Sequence, residues 1–266
     1  MGMEIDEFLT RIGVKDANPT IFRIEERVAL DAEKLPVDGK VVEKMRGIRT
    51  HTSTKSRSVS VIGFIVYANS FPEQIFAIPS NDLRNVLAET NMIDIKDSKL
   101  LGHGDDVDFA FNLQVLEKGK GLHLKFDNPP IVLEKEIVKR ILKVDSILAS
   151  SSAFVDTDGE YARITLRDKT GNAGKVTVKS TFPEFHARFE ERFVECLKLL
   201  GDNGATLNLD GYDPGREHKA HGLAKIELLD SNAIISYYVN EITQKVQEQK
   251  KAKKEKEEET EGSLEA

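Results

Sequence analysis

The pattern of apolar and polar residues repeats along the chain. Each repeat begins with a short apolar run that predicts a strand, continues with an amphipathic stretch that predicts a helix, and ends with alternating runs that predict further strands. The three clear repeats begin at Phe76, Ile131 and Phe185, about 55 residues apart. This regular spacing predicts one supersecondary unit used several times, and the same distance counted back places a diverged first unit near Ile21.

Each of the three predicted helices carries one apolar stripe, because its apolar residues recur at three- and four-residue intervals. In the unit from Phe185, Gly201 follows the stripe where a left-handed C-cap is expected, and in the unit from Phe76, Ser80 precedes it as an N-cap. The stripes are Leu83, Val86 and Leu87; Ile137, Val138, Ile141, Leu142, Val144 and Leu148; and Phe193, Cys196, Leu197 and Leu200.

Periodicity does not locate the helix of the first unit. Three stretches fit it equally well, namely residues 4–12, 24–34 and 37–45. All three stay open as alternatives at this point.

Alternating runs between the helices predict antiparallel strands. Residues 161–168 and 175–180 alternate cleanly, and the turn-forming segment between them predicts a hairpin. Other predicted strands lie at residues 58–68, 107–116, 121–126, 205–209, 223–229 and 233–239. Few helices among many strands predict an α+β protein in which a domain of antiparallel sheet with two helices is used twice.

Two prolines and a change of composition predict the domain boundaries. Pro129 and Pro130 mark the junction of the halves, which gives an N-terminal domain at residues 1–128 and a C-terminal domain at residues 129–242. Residues 243–266 hold six Lys and seven Glu with little to bury, so they predict a charged, disordered tail.

Charge and hydropathy restrict the class of protein. The net charge of −7 disfavours a protein that coats DNA with its whole surface, but it allows one basic face. No run of 18 apolar residues is present to cross a bilayer. The first residues carry acids where a secretory signal carries Lys or Arg. We therefore expect an intracellular protein without a membrane partner.

The sequence predicts no enzyme and no cofactor. It contains no GxSxG, HExxH or GxGxxG motif, and GNAGKV lacks two positions of a P-loop. A metal-dependent nuclease is conceivable at His103, Asp105, Asp106 and Asp108, yet HGDDVD is more typical of a polar turn between strands. The single Cys196 excludes an intrachain disulfide and a Cys-rich zinc site, and we expect it in the core.

Residues 131–240 resemble the proliferating cell nuclear antigen (PCNA) family of DNA sliding clamps and its phage counterparts. The run IVLEKEIVKRILKVDSILASSSAFVDTDGEYARITLRDKTGNAGKVTVKS resembles the opening of the family's second domain. The runs HARFEERFVECLKLLGDNGATLNL and LAKIELLDSNAIISYYVNEI resemble the start and the closing strands of its last quarter. The chain departs from the family over residues 1–70 and in the long connection GYDPGREHKAHG.

The resemblance implies a DNA polymerase processivity factor. Such a clamp is a ring, here expected to be a trimer, that encircles duplex DNA without reading its sequence and tethers a polymerase and other replication and repair factors. An ATP-dependent clamp loader would place it on DNA, in the cytoplasm, nucleoid or nucleus. Edge strands that pair between subunits would close the ring.

A ring around DNA needs a helical inner wall that is basic. The candidate DNA-facing residues are Arg84, Lys135, Lys139, Arg140, Lys143, Arg188, Arg192 and Lys198. Glutamates are interleaved with them, so solvated helix faces are the alternative. The basic segment 45–58 also has two interpretations, a hairpin tip, which we favour, or a DNA contact.

The resemblance also implies a groove that captures partner peptides beside the interdomain connector. Its residues would be Phe126, Pro129, Pro130, Ile131, Tyr237, Tyr238 and Val239. The alternative for the aromatic residues is that alternate strand positions pack the sheet.

The main competing hypothesis is a single-stranded nucleic-acid-binding protein with an acidic tail that recruits partners. That function requires aromatic side chains interleaved with basic ones. The chain has no Trp, and its aromatic residues mostly fall at core-like positions.

Overall fold

The computed structural model describes residues 2–28, 44–67, 71–90, 92–116, 124–212 and 222–242. The predicted tail at residues 243–266 lies outside them. No helix within these ranges is long and apolar enough to span a bilayer.

The first half opens with a helix and four strands, followed by a second helix and four more strands. These elements are α1 (Ile5–Ile12), β1 (Thr20–Val28), β2 (Lys44–Ser53), β3 (Val59–Val66), β4 (Phe76–Ile78), α2 (Ser80–Glu89), β5 (Met92–Lys96), β6 (Lys99–His103), β7 (Asp108–Asn112) and β8 (Gln114–Val115).

After one opening strand, the second half has a helix, four strands, a second helix and three more strands. Its elements are β9 (Ile131–Leu133), α3 (Lys135–Leu148), β10 (Ser152–Thr157), β11 (Tyr161–Arg167), β12 (Ala173–Lys179), β13 (Phe185–Glu190), α4 (Arg192–Leu199), β14 (Ala205–Gly211), β15 (Leu223–Leu229) and β16 (Ala233–Asn240). The predicted domain boundary falls between β8 and β9 and stays a prediction.

The repetition predicted from the sequence is present, because the three clear units begin with β4, β9 and β13 at the expected residues. The first helix, α1, lies within the first of the three open alternatives, residues 4–12. The expectation of a unit start near Ile21 is wrong, since Ile21 lies inside β1. The spacing of the repeats misplaced the start of this unit because no opening strand precedes α1 in the described residues. Met3 instead exchanges hydrogen bonds with the side chain of Asn232.

A nine-stranded antiparallel sheet joins the two halves. Its order is β8-β4-β1-β2-β3-β16-β15-β14-β9, and the joint is the pairing of β3 with β16. The remaining described strands form a four-stranded sheet, β12-β11-β10-β13, and a three-stranded sheet, β5-β6-β7. In the described part of the chain, β12 and β7 are therefore edge strands.

The four helices in the described part of the chain form one layer over the sheets. Helix α1 packs against α2 and α4, and α4 packs against α3. Alternate strand residues face this layer, as Val155 and Phe189 do with no or almost no exposed surface, and they meet apolar helix residues such as Ile141 and Phe193. Burial of each such side chain contributes about 1.5–3 kcal/mol.

Tyr237 and Arg11 join the halves beneath this layer. The Tyr237 side chain is fully buried, and its hydroxyl donates to the Arg11 carbonyl at 3.0 Å. The Arg11 guanidinium donates to the Leu200 carbonyl at the end of α4, where a cation is favourable. Gly201 follows with φ +61°, which confirms the expected C-cap glycine.

The basic segment 45–58 is mostly a strand. Residues up to Ser53 belong to β2, so only residues 54–58 form the predicted hairpin tip. Thr50 and Thr52 alternate with exposed or half-exposed residues and point into the core, and the Thr52 hydroxyl lies 2.7 Å from that of Thr20. Because these inward residues are polar, hydropathy alone did not reveal the strand.

Candidate functional site

Helix α3 presents a cationic surface to solvent. Val138 and Ile141 have no exposed surface and fix the opposite side of the helix against the core. The four predicted DNA-facing residues of this helix are consequently exposed together: Lys135, Lys139, Arg140 and Lys143. We call these four residues the α3 cations.

The ion pairs of the α3 cations are weak. The Lys135 and Lys139 ammonium groups lie 3.4 and 4.0 Å from one Asp202 carboxylate, which is 79% exposed. Lys139 also lies 3.6 Å from Glu136. Exposed pairs of this kind contribute roughly 0–1 kcal/mol. The α3 cations therefore remain available to an external anion.

Lys198 forms an ion pair with a buried carboxylate. Its ammonium lies 2.7 Å from the Asp145 carboxylate, whose side chain is 6% exposed. Burial by itself would raise the pKa of Asp145, but hydrogen bonds from Lys198 and from the Ser150 hydroxyl and amide outweigh it and lower the pKa. Lys198 thus links α4 to α3.

Arg192 also forms ion pairs with carboxylates of the protein itself. Its guanidinium, 17% exposed, pairs with Asp16 at 2.9 Å and with Glu195 at 2.6 Å. Asp16 follows α1, so this side chain connects the two halves of the chain rather than standing free in solvent.

The first-half helices add little positive charge to the layer. Arg84 of α2 pairs with Asp6 of α1 at 2.7 Å, and Glu7 of α1 pairs with Arg11. The four helices together carry eight Lys or Arg and seven Asp or Glu, and half of the cations are on α3. Within the helix layer, the positive surface is therefore confined to α3.

Arg188 lies apart from the other candidates. It sits on β13 directly opposite Phe154 of β10, whereas its neighbours Ala187 and Phe189 are the buried residues of the strand. Because α4 packs on the buried side of β13, Arg188 projects from the opposite face of the sheet. Strand alternation decides its side, so Arg188, which the sequence places just before α4 among the DNA-facing candidates, does not share a surface with the helices.

Three predicted partner-binding residues are core residues. Ile131, Tyr237 and Val239 are at most 2% exposed, because they occupy the positions of β9 and β16 that face the helices. They do not line a surface groove, and for the aromatic Tyr237 the alternative interpretation, packing of the sheet, applies.

Of the other partner-binding candidates, Phe126 and Tyr238 lie on the outer face of the nine-stranded sheet. Pro129 and Pro130 are exposed, and Phe126 and Tyr238 are partly buried. The Lys225 ammonium lies 5.6 Å from the centre of the Phe126 ring, and Lys225 pairs with Tyr238 in the strand register. Lys225, which sequence reasoning missed, thus brings Phe126 and Tyr238 to one surface.

The connector is fixed to the end of β14 next to this surface. Lys125 and Tyr212 exchange backbone hydrogen bonds of 2.9 and 3.1 Å. Gly211 leaves room for the Phe126 ring, because a Cβ atom there would lie 2.4 Å from Phe126 Cε1. We call Phe126, Pro129, Pro130, Lys225 and Tyr238 the connector surface.

The acidic segment after β6 is a turn, as predicted. The Gly104 amide donates to the Val107 carbonyl at 2.9 Å, and His103 Nδ1 lies 2.8 Å from Asp108 Oδ1. No cluster of three or more His, Cys, Asp or Glu suited to a metal occurs within the described ranges. Cys196 is 1% exposed, as expected, and burial raises the pKa of its thiol.

Comparison with known proteins identifies the fold. No protein-family model and no curated protein matches the sequence. Among solved structures, the PCNA of Entamoeba histolytica matches with a TM-score of 0.60 and 15% identity over 90% of this chain and 96% of that chain.

Two archaeal structures match similarly. The A. fulgidus PCNA bound to the C-terminal region of FEN-1 gives a TM-score of 0.59 at 15% identity, over 92% of this chain and 97% of that chain. The PCNA2–PCNA3 complex of Sulfolobus tokodaii gives 0.57 at 11% identity, over 90% and 97%. The chain therefore has the fold of the PCNA sliding clamps.

Proposed function

We propose that the protein is a DNA sliding clamp, a ring subunit without catalytic activity that encircles duplex DNA and tethers a DNA polymerase and other replication and repair factors. It would act in the cytoplasm, nucleoid or nucleus, wherever the cell keeps its DNA. The observation that carries the proposal is the internal joint between β3 and β16, together with β12 and β7, which are edge strands among the described residues.

The internal repeat makes β12 the counterpart of β3, and β7 the counterpart of β16. Inside the chain, β3 and β16 pair antiparallel from Val59–Val239 to Ile65–Ala233. The same joint between β12 of one subunit and β7 of the next would continue the sheet from copy to copy. Such a heterologous contact forms a ring if the rotation closes, and it removes edges that otherwise aggregate.

Charge supports this joint. The hairpins of the two halves can be aligned at their turns so that outward-facing residues stay outward. The register of the internal joint then transfers Asp108 to a position opposite Thr177. On the solvent face Asp108 would then lie diagonally between Lys175 and Lys179, and opposite charges across strands are favourable. Two copies of this chain are therefore complementary, which favours a ring of identical subunits, expected to be a trimer.

The α3 cations are the proposed DNA contact. They lie on the helix side of the protein, where neighbouring side chains of Arg192 and Lys198 are held in internal ion pairs. Exposed Lys and Arg that contact only phosphates hold DNA without reading its sequence, so the ring remains free to slide.

The connector surface is the proposed docking site for partner peptides. It combines exposed prolines with partly buried aromatic residues. Phe126 and Tyr238 lie on the sheet face opposite the helices, so a partner bound to them would not compete with DNA. Opening of the ring is expected to need an ATP-dependent loader.

Retention on DNA with blocked ends tests the proposal without a loader. The protein threads onto linear duplex DNA tethered to a bead at one end, and the free end is then blocked. A ring stays bound after dilution until a restriction enzyme cuts the DNA, whereas the unblocked control loses it at once. Equal loss from blocked and unblocked DNA would rule out a topological ring, as would a strictly monomeric solution mass instead of three times 29.8 kDa.

A further inference from the structure

The solvent face of the four-stranded sheet carries a cluster of two arginines and one phenylalanine. The Arg167 and Arg188 guanidinium carbons lie 4.8 and 5.4 Å from the centre of the Phe154 ring. Phe154 pairs with Arg188 across β10 and β13, and Arg167 is two residues beyond its β11 partner, Thr165. We call Phe154, Arg167 and Arg188 the Arg–Phe cluster.

This face is positive in an acidic protein. Its outward positions carry five Lys or Arg and two carboxylates, although the chain as a whole has a net charge of −7. One of the carboxylates, Asp156, is hydrogen-bonded to His186 at 2.8 Å. An acidic ligand would be repelled by most of the protein and attracted here.

On the equivalent face of the first half, two arginines are neutralised by a glutamate of the same sheet. There the Glu25 carboxylate lies 2.8 Å from Arg23 and 3.0 Å from Arg49. The guanidiniums of the Arg–Phe cluster contact an aromatic ring instead, and within the described ranges neither is paired with a carboxylate. Their charge is therefore not neutralised by a described neighbour.

A guanidinium over a phenyl ring is oriented but keeps its N–H groups. Stacking limits side-chain motion, and the planar group then binds a carboxylate through two parallel hydrogen bonds. The ring is already covered by guanidinium groups, which disfavours stacking of a nucleic-acid base. The chemistry therefore fits carboxylates better than single-stranded nucleic acid.

We propose that the Arg–Phe cluster binds an acidic peptide segment of a partner protein, one that presents clustered Asp or Glu side chains. The proposal is independent of the DNA-binding function, because the cluster lies on the sheet face opposite α3 and α4. It also avoids the edge strand β12, since its residues belong to β10, β11 and β13. A partner docked here would leave the helix side of the protein open.

Binding of a fluorescein-labelled hexaglutamate peptide to the full chain tests the proposal. Fluorescence anisotropy should show that Arg167→Glu and Arg188→Glu each weaken binding by about tenfold or more, because each removes a charge-assisted contact. Lys139→Glu changes the net charge equally but lies on α3, and it should weaken binding less than twofold. If all three variants lost peptide affinity equally, the proposal would be overturned, because long-range attraction by the total charge of the protein would then account for binding.

A variant that keeps the charges tests the role of the ring. Phe154→Leu should also weaken binding, while a thermal melt reports whether it folds. Unchanged affinity in folded Phe154→Leu would contradict a cluster oriented by the ring.

Two further measurements test the kind of ligand. Substitution of Gln for Glu at positions 255, 257, 258, 259 and 261 should leave peptide affinity unchanged. Markedly tighter binding would mean that these glutamates compete with the peptide for the Arg–Phe cluster. The chain's own glutamates would then be the occupant, and the proposal would be overturned. A labelled oligothymidine should bind the wild type and Arg188→Glu equally, and a loss of oligothymidine binding in Arg188→Glu would make the ligand a nucleic acid instead.

Discussion

The Lys198 ammonium donates to the Asp145 carboxylate at 2.7 Å, and this contact ties α4 to α3. The carboxylate is buried and also accepts the Ser150 amide at 3.1 Å, just past the end of α3. A lysine that the sequence places among DNA-facing cations therefore has a structural partner.

We expect Lys198→Met to destabilise the protein by roughly 1–3 kcal/mol, because the buried Asp145 charge would lose its partner. Urea unfolding followed by circular dichroism measures the change. Lys143→Met, an exposed residue on the neighbouring helix, is the control and should change stability by at most about 0.5 kcal/mol. If both variants were equally stable, the ion pair would contribute nothing.

The stability should depend on pH through Asp145. Its folded-state pKa is lower than the ordinary 3.8, so its contribution is present above that ordinary value and is lost as pH falls through the folded-state pKa. The stability difference between the wild type and Asp145→Asn should therefore be larger at pH 6 than at pH 2.5. A difference that grows on acidification would have the wrong sign for this mechanism.

Charge reversal on α3 should weaken the hold on DNA. Lys139→Glu combined with Lys143→Glu is expected to shorten retention on end-blocked DNA by about tenfold or more at moderate salt, because two phosphate contacts become repulsive. The solution mass should not change. Arg188→Glu is the matched control on the opposite face of the sheet, and an equal effect there would argue against a DNA contact at α3.

The joint between subunits should respond to a charge swap. Asp108→Lys places like charges beside Lys175 and Lys179, and it should weaken assembly by about tenfold per joint. Adding Lys175→Asp and Lys179→Asp to the same chain should restore assembly, as measured by sedimentation velocity. If the triple variant dissociates as readily as Asp108→Lys, the transferred register is wrong.

Removal of the Tyr237 hydroxyl should reduce stability by about 1 kcal/mol, because the Arg11 carbonyl would lose a buried donor. Tyr237→Phe keeps the ring and so isolates the hydrogen bond. Tyr161→Phe, at an exposed position, serves as the control and should leave the urea midpoint unchanged. A stable Tyr237→Phe would show that the contact between the halves does not depend on this bond.

The repeated unit was predictable because its signal is local. Apolar stripes at helical spacing and alternating strand runs place Phe76, Ile131 and Phe185 at the starts of β4, β9 and β13. The strand β2 was not predictable in the same way, since threonines occupy its inward positions.

The site was only partly predictable. The sequence finds the exposed α3 cations, because an apolar stripe on one side of a helix implies a solvated opposite side. It does not reveal that Tyr237 is a core residue while Tyr238 faces outward, because two adjacent tyrosines look alike until the sheet is packed.

The sequence by itself thus determined the repeated α+β unit, the exposed surface of α3 and the acidic turn after β6. Only the tertiary structure decided that Lys198 and Arg192 are held by Asp145 and Asp16, and that Arg188 joins Phe154 on the far side of a sheet. The reason is physical: periodicity is set by neighbours three or four residues away, whereas an ion pair depends on residues that folding brings together from distant parts of the chain.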